Sequence, residues 1–205
     1  MLGLPKATEL SRPMPKKAIF DKFKPSPADR QRFDAEIRRL AIVHELSTAT
    51  TNIAAGESVS ALYVVQVSLR RMECDKKNLL FLAKLIDQNM LFVLEHDGMA
   101  RLAACRAGKV IQSDWMPLGE WNIMLTGLNL EAVLENIIVQ VRGMEIAEGK
   151  TLDEQLAADE VRSKVSLKIE RLEKQARSER QPRRKWELAE EAKQLKLQME
   201  ADCNG

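Results

Sequence analysis

The chain is poor in the residues that most often announce chemistry. Its 205 residues include three cysteines, two histidines and one tyrosine, and aromatic side chains make up only 4%. Cys74, Cys105 and Cys203 form no CxxC pair. With two histidines there is no spacing for a zinc site, and free thiols in a reducing compartment are expected. No GxxxxGK loop is present to cradle phosphates. No apolar run approaches the roughly 18–20 residues that span a bilayer. The start, MLGLPKATEL, lacks the basic and apolar regions of a signal peptide. These absences predict a cytosolic protein with no membrane partner, metal or cofactor.

What is present is a chain long enough for one sizeable domain plus an appendage. It is 45% apolar and 30% charged, with a net charge of only +2. Global electrostatics therefore name no partner, but the distribution is uneven. Residues 1–24 carry Lys6, Arg12, Lys16, Lys17, Lys22 and Lys24 against Glu9 and Asp21. With Pro5, Pro13 and Pro15 and few large apolar groups, residues 1–25 read as an extended basic arm, in which KKAIFDKF (16–23) is compatible with a short helix.

Residues 26–147 read as an α+β domain. Ser26 followed by Pro27 is an N-cap and first turn, opening a helix of two to three turns. From Leu40 the pattern becomes strand-like. In ALYVVQVSLR, Tyr63, Val65, Val67 and Leu69 share one face, and Leu62, Val64, Gln66 and Ser68 the other. A helix over 74–88, with Leu79, Leu82, Leu85 and Ile86 on one face, leads into the strand MLFVLEH. That order is a β-α-β crossover between parallel strands. Asp97-Gly98 and Ala107-Gly108 then turn a meander, and WNIMLT (121–126) offers a further short strand. LNLEAVLENIIVQVRG (128–143) is an amphipathic helix capped by Asn129 and ended by Gly143. The expected architecture is a mixed β-sheet with a crossover and a meander, covered by helices.

Residues 151–202 change character. Thr151 and Glu154 make a capping box, and a charged helix runs to about Ser178 before Pro182 interrupts. Val165, Ile169, Leu172 and Ala176 form one apolar seam, and Leu188, Ala192, Leu195 and Met199 a second. Two seams flanking one break predict an antiparallel, coiled-coil-like helical hairpin. A single helix kinked at Pro182 is the alternative.

Three constellations are candidates for function. The connector TTNIAAGE (50–57) offers Thr50, Thr51, Asn52 and Glu57 as a ligand or partner loop, with Ala-Ala-Gly permitting close backbone approach. It also reads as an ordered loop capping a neighbouring helix or sheet edge. The run KQARSERQPRRK (174–185) holds six cations against Glu179. Arg177, Arg180, Arg183, Arg184 and Lys185 fall at the hairpin tip, where arginine can pair with phosphate. Solvated charge and an acidic protein partner are the competing readings, and Lys16 and Lys17 pose the same choice. Glu95-His96-Asp97 is a poor metal site, because consecutive strand residues point to opposite faces. VVQVSLR carries no acid, and no acid-x-Lys follows it, so a restriction-type nuclease is disfavoured.

The stretches MLGLPKATEL, TTNIAAGE, QNMLFVLEHDG and LEKQARSERQPRRKWEL, in this order, resemble a bacterial family, domain of unknown function 4391. The resemblance implies a context near helicases and DNA methyltransferases, in loci similar to restriction or anti-phage systems, and it supplies no catalytic motif. The expectation is a non-enzymatic accessory subunit that docks on a larger protein such as a helicase or methyltransferase. A DNA-binding or DNA-processing protein using the hairpin tip is one alternative, and a small-molecule module at residues 50–57 another. The hairpin could also join two copies of the chain.

Overall fold

A computed structural model describes residues 2–85, 89–147 and 149–204, and the chain divides near residue 145 into two compact units. The first is built on one mixed sheet ordered β1-β2-β3-β4-β5-β6, with β7 also paired to β5. The strands are β1 (Glu9–Pro13), β2 (Ile37–Ser47), β3 (Ala61–Leu69), β4 (Asn89–His96), β5 (Met99–Arg106), β6 (Lys109–Gln112) and β7 (Met116–Pro117). Helices α1 (Lys16–Phe23), α2 (Pro27–Glu36), α3 (Thr48–Thr51), α4 (Lys76–Leu85) and α5 (Leu130–Arg142) surround it.

The central strand β3 alternates as its sequence predicts, and both of its faces are covered. Val65, Val67 and Leu69 join Leu40, Ile42, Phe92 and Leu94 beneath α1, α2 and α4, with Phe20, Phe33, Leu79 and Leu82 in the same cluster. Phe33 meets Phe20 and Phe81 edge-on, at ring centroids 5.4 and 6.0 Å apart. The opposite face buries Leu62, Val64, Leu91, Val93 and Leu102, with α5 against β3, β5 and β6. The expected side of α5 is the buried one, comprising Leu130, Val133, Leu134, Ile137, Ile138 and Val141.

β3 and β4 are parallel across α4, while the other pairings are antiparallel. The two meander turns hold both central residues at positive φ, at Asp97 and Gly98 and again at Ala107 and Gly108. This conformation matches the strand twist. Ser26 caps α2, Asn129 caps α5, and Gly143 ends α5 in the left-handed conformation. Of the helix expected over 74–88, Ile86 and the two residues after it lie outside the described residues.

Three expectations need correction. The segment read as an extended basic arm is instead built into the first unit: β1 pairs with β2, and Ile19 and Phe20 of α1 enter the core. Pro13 sits at the end of an edge strand, where a missing N–H is tolerated, so the prolines that suggested an arm are compatible with a sheet. Next, β2 begins at Ile37, directly after α2. A register shift between Ile37 and Arg39 breaks the alternation by which a strand is recognised. Finally, WNIMLT is not a strand. Its backbone is held by other partners, with Ile123 N–H donating to Leu2 O at 2.9 Å and both Met124 groups bonded to the Gln140 amide.

The second unit is the helical hairpin, α6 (Leu152–Ser178) and α7 (Pro182–Asn204). Thr151 and Glu154 close the expected capping box. Ile169, Leu172 and Ala192 are buried together, with Val165, Leu188 and Leu195 packed on them. The chain therefore folds back at Pro182 rather than kinking through it. Lys168–Glu191 at 2.8 Å and Lys196–Glu173 at 2.6 Å cross between the helices. Such exposed pairs add little stability beside the apolar seam.

Candidate functional site

The connector after β2 is organised by its own side chains. Ser47 opens α3 with a capping box, and its N–H donates to Thr50 Oγ1 at 2.9 Å. Thr50 Oγ1 donates to Glu45 O at 2.7 Å, and Thr51 Oγ1 donates to Ser47 O at 2.8 Å. Both hydroxyls are thus turned to the backbone. Asn52 ends the turn in the left-handed conformation, and its side chain and that of Glu57 are exposed.

Beyond Asn52 the connector clasps the start of α5. Leu130 N–H donates to Ala54 O at 2.8 Å, and the Glu131 carboxylate accepts from Glu57 N–H at 3.0 Å and from the Ser58 hydroxyl. The Ser58 hydroxyl, followed by the backbone N–H groups, holds the Glu131 carboxyl below its ordinary range. A Cβ on Gly56 would stand 2.5 Å from Glu131 Cβ, so only glycine permits this approach. The small residues noted in the sequence admit a helix of the same chain. Glu131 is the partner that local reading missed, since it lies 73 residues beyond Ser58.

The hairpin tip presents charge outward. Lys174, Arg177, Arg180, Arg183, Arg184 and Lys185 are all exposed, and Trp186 among them is 67% exposed. Arg177 approaches Glu173 at 3.6 Å, Arg183 approaches Glu187 at 3.2 Å, and Arg184 approaches Glu179 at 3.7 Å. Lys174, Arg180 and Lys185 have no carboxylate within 4.0 Å among the described residues. Glu179, the lone acid of the run, accepts from the N–H groups of Gln181 and Arg180 at 3.0 and 2.8 Å. These bonds hold its carboxyl below the usual range. The acid therefore shapes the turn.

Lys16 and Lys17 lie at the start of α1 in the first unit. Lys16 Nζ pairs with Asp34 at 2.9 Å, and Lys17 is exposed. Glu95 and His96 diverge as strand geometry requires: Glu95 accepts from Gln66, while His96 faces Leu69 O and Asp97. Among the described residues no three His, Cys, Asp or Glu side chains gather as a metal site would require. None of the described helices is long and apolar enough to cross a membrane.

One buried polar group was not anticipated. Glu36, at the end of α2, is 5% exposed, and its carboxylate accepts from Asp75 N–H and Asn78 Nδ2, both at 2.8 Å, and from Arg71 at 3.2 Å. It holds the β3–α4 connection, which is structural work and leaves no acceptor aimed at an empty space.

No curated protein and no solved structure matches the chain. A family model does, over residues 2–199, spanning the sheet, the connector and nearly all of the hairpin. The chain belongs to the family described as domain of unknown function 4391 (DUF4391).

Proposed function

We propose that the chain is a non-enzymatic accessory protein that grips nucleic acid phosphates with the tip of its helical hairpin. The observation that carries this reading is the exposed cationic turn beside Trp186, formed while the apolar seams of both helices are used up against each other. Arginine pairs bidentately with phosphate, and an exposed indole can stack on an unpaired base. A dimer through the hairpin would have to use outward apolar side chains such as Val161, Leu167 and Leu197, 62%, 65% and 51% exposed, because the seams are spent. The test replaces Arg183, Arg184 and Lys185 together with glutamine and measures retention of labelled DNA across a salt series. Loss of the salt-sensitive affinity supports the reading, and unchanged retention removes it.

A second reading, docking on a larger protein, has its own observation. The loop before α5 is stapled down by Gln140 at Met124 and by Asn136 at Thr126 O, yet Met124 and Leu128 project from it, 65% and 94% exposed. A rigid loop offering large apolar side chains is a natural anchor for a protein partner. A helicase or DNA methyltransferase, as the family resemblance implies, would suit a restriction-like or anti-phage setting. Co-expression with such a neighbour tests this. Leu128→Asp should break co-purification and leave DNA retention intact.

A further inference from the structure

The β2–β3 pairing brings together two Arg-Arg dipeptides that lie far apart in the sequence. Arg38-Arg39 follows the first residue of β2, and Arg70-Arg71 follows the last residue of β3. Ile37 is paired with Leu69 and Arg39 with Ser68, and Arg70 N–H continues the ladder by donating to Glu36 O at 2.8 Å. In a regular strand one of two consecutive side chains would turn inward. Here the register shift falls between Ile37 and Arg39, and Ile37 and Leu40 are buried while Arg38 and Arg39 between them are both exposed. The bulge turns an arginine pair outward and kinks the strand to do so.

The acids nearby do not cancel this charge. Glu36 is buried and meets Arg71 alone of the four, and Asp34 gives its carboxylate to Lys16 while Arg70 Nε donates to its backbone carbonyl at 3.0 Å. Arg38, Arg39 and Arg70 have no carboxylate within 4.0 Å among the described residues. Glu73 is exposed in the turn that follows, and Glu95, opposite Ser68 on the next strand, accepts from Gln66, so four arginines face acids already engaged elsewhere apart from Glu73.

We infer that this end of the sheet is a second docking surface for the phosphate backbone of duplex DNA, in the first unit and separate from the hairpin tip. Arg39 stands opposite Ser68 and Arg70 beside Glu36, so the two pairs are offset along neighbouring strands, and their long side chains can reach different phosphates of one DNA strand. Each guanidinium offers a planar fork of donors to a phosphate. The inference shares with the hairpin reading only the claim that the chain binds nucleic acid.

The test uses the full chain, a labelled DNA duplex of mixed sequence and a salt titration, with poly-glutamate as competitor. Arg38→Gln/Arg39→Gln alters two exposed side chains that pair with no carboxylate among the described residues, and adding Arg70→Gln completes the set; thermal melting confirms folding. The expected result is a shallower dependence of log affinity on log salt, by about 0.9 for each phosphate no longer neutralised. The reduction should add to that of the hairpin-tip triple. An unchanged slope in the Arg38/Arg39 variant overturns the surface, and if the tip variant alone loses affinity, the hairpin reading survives. The converse result keeps the surface and sinks the hairpin reading, and a wild-type chain without salt-sensitive affinity sinks both. Competition by poly-glutamate as effective as that by unlabelled duplex would assign the surface to an acidic protein and overturn the inference.

Discussion

Thr8 and His44, 36 residues apart, are joined by a buried hydrogen bond of 2.9 Å between Thr8 Oγ1 and His44 Nδ1. Thr8 has one hydroxyl proton and donates it to Pro5 O at 2.7 Å. Its oxygen therefore accepts from His44, which places a proton on Nδ1, and burial of the ring favours the neutral form over the doubly protonated one. This bond ties the turn before β1 to β2, in the segment whose prolines suggested an arm.

Burial lowers the His44 pKa from its ordinary 6.5, against an opposing influence from Glu9. In the unfolded chain the imidazole protonates first, so the unfolded state binds more protons as pH drops below 6.5. Stability should be fully present above that value and fall with acidification, by about 1.4 kcal/mol per pH unit until the folded pKa is reached. Urea unfolding from pH 7.5 downward measures this. His44→Asn, which retains a donor for Thr8 without titrating there, should flatten that part of the profile.

Glu36→Ala should cost on the order of 3 kcal/mol, because it strands the Asp75 N–H and the buried Asn78 amide without their acceptor. Glu36→Gln should cost less, since one carbonyl oxygen remains. Chemical denaturation with matched m-values checks both. Equal stability of wild type and Glu36→Ala would show that the network carries no weight.

Glu131→Ala should loosen the connector without unfolding the domain. The amides of Glu57 and Ser58 lose their acceptor, and hydrogen exchange at these two positions should accelerate while β3 and β4 remain protected. The same loosening should appear in the wild type under acid. The Glu131 carboxyl titrates below its ordinary value, held down first by Ser58, so the clasp persists through mildly acidic pH and is lost as pH falls through the lowered pKa.

Burial pushes the Cys74 thiol up to about 12, with Glu36 and Asp75 adding to the effect, and the Cys105 thiol up to about 11. The ordinary value here is 9.0. Thiolate populations fall by roughly a thousandfold and a hundredfold. Alkylation with iodoacetamide at pH 8, read by peptide mass, should leave both nearly unmodified in the folded chain and label them promptly in urea. Rapid native labelling of Cys74 would contradict its burial.

Local sequence determined those features whose causes lie within a few residues. Ser26, Asn129 and Thr151 open helices because their side chains reach N–H groups one turn away. Asp97-Gly98 and Ala107-Gly108 turn hairpins because their backbones accept positive φ, and the apolar spacing in α5, α6 and α7 selects which side each helix buries. Only the tertiary structure decided that β1 and α1 join the sheet and core, that Glu131 clasps the connector, and that the two arginine pairs lie on neighbouring strands at one end of the sheet. These pairings bridge tens of residues, and their register is set by bulges at positions that a two-residue alternation cannot reveal.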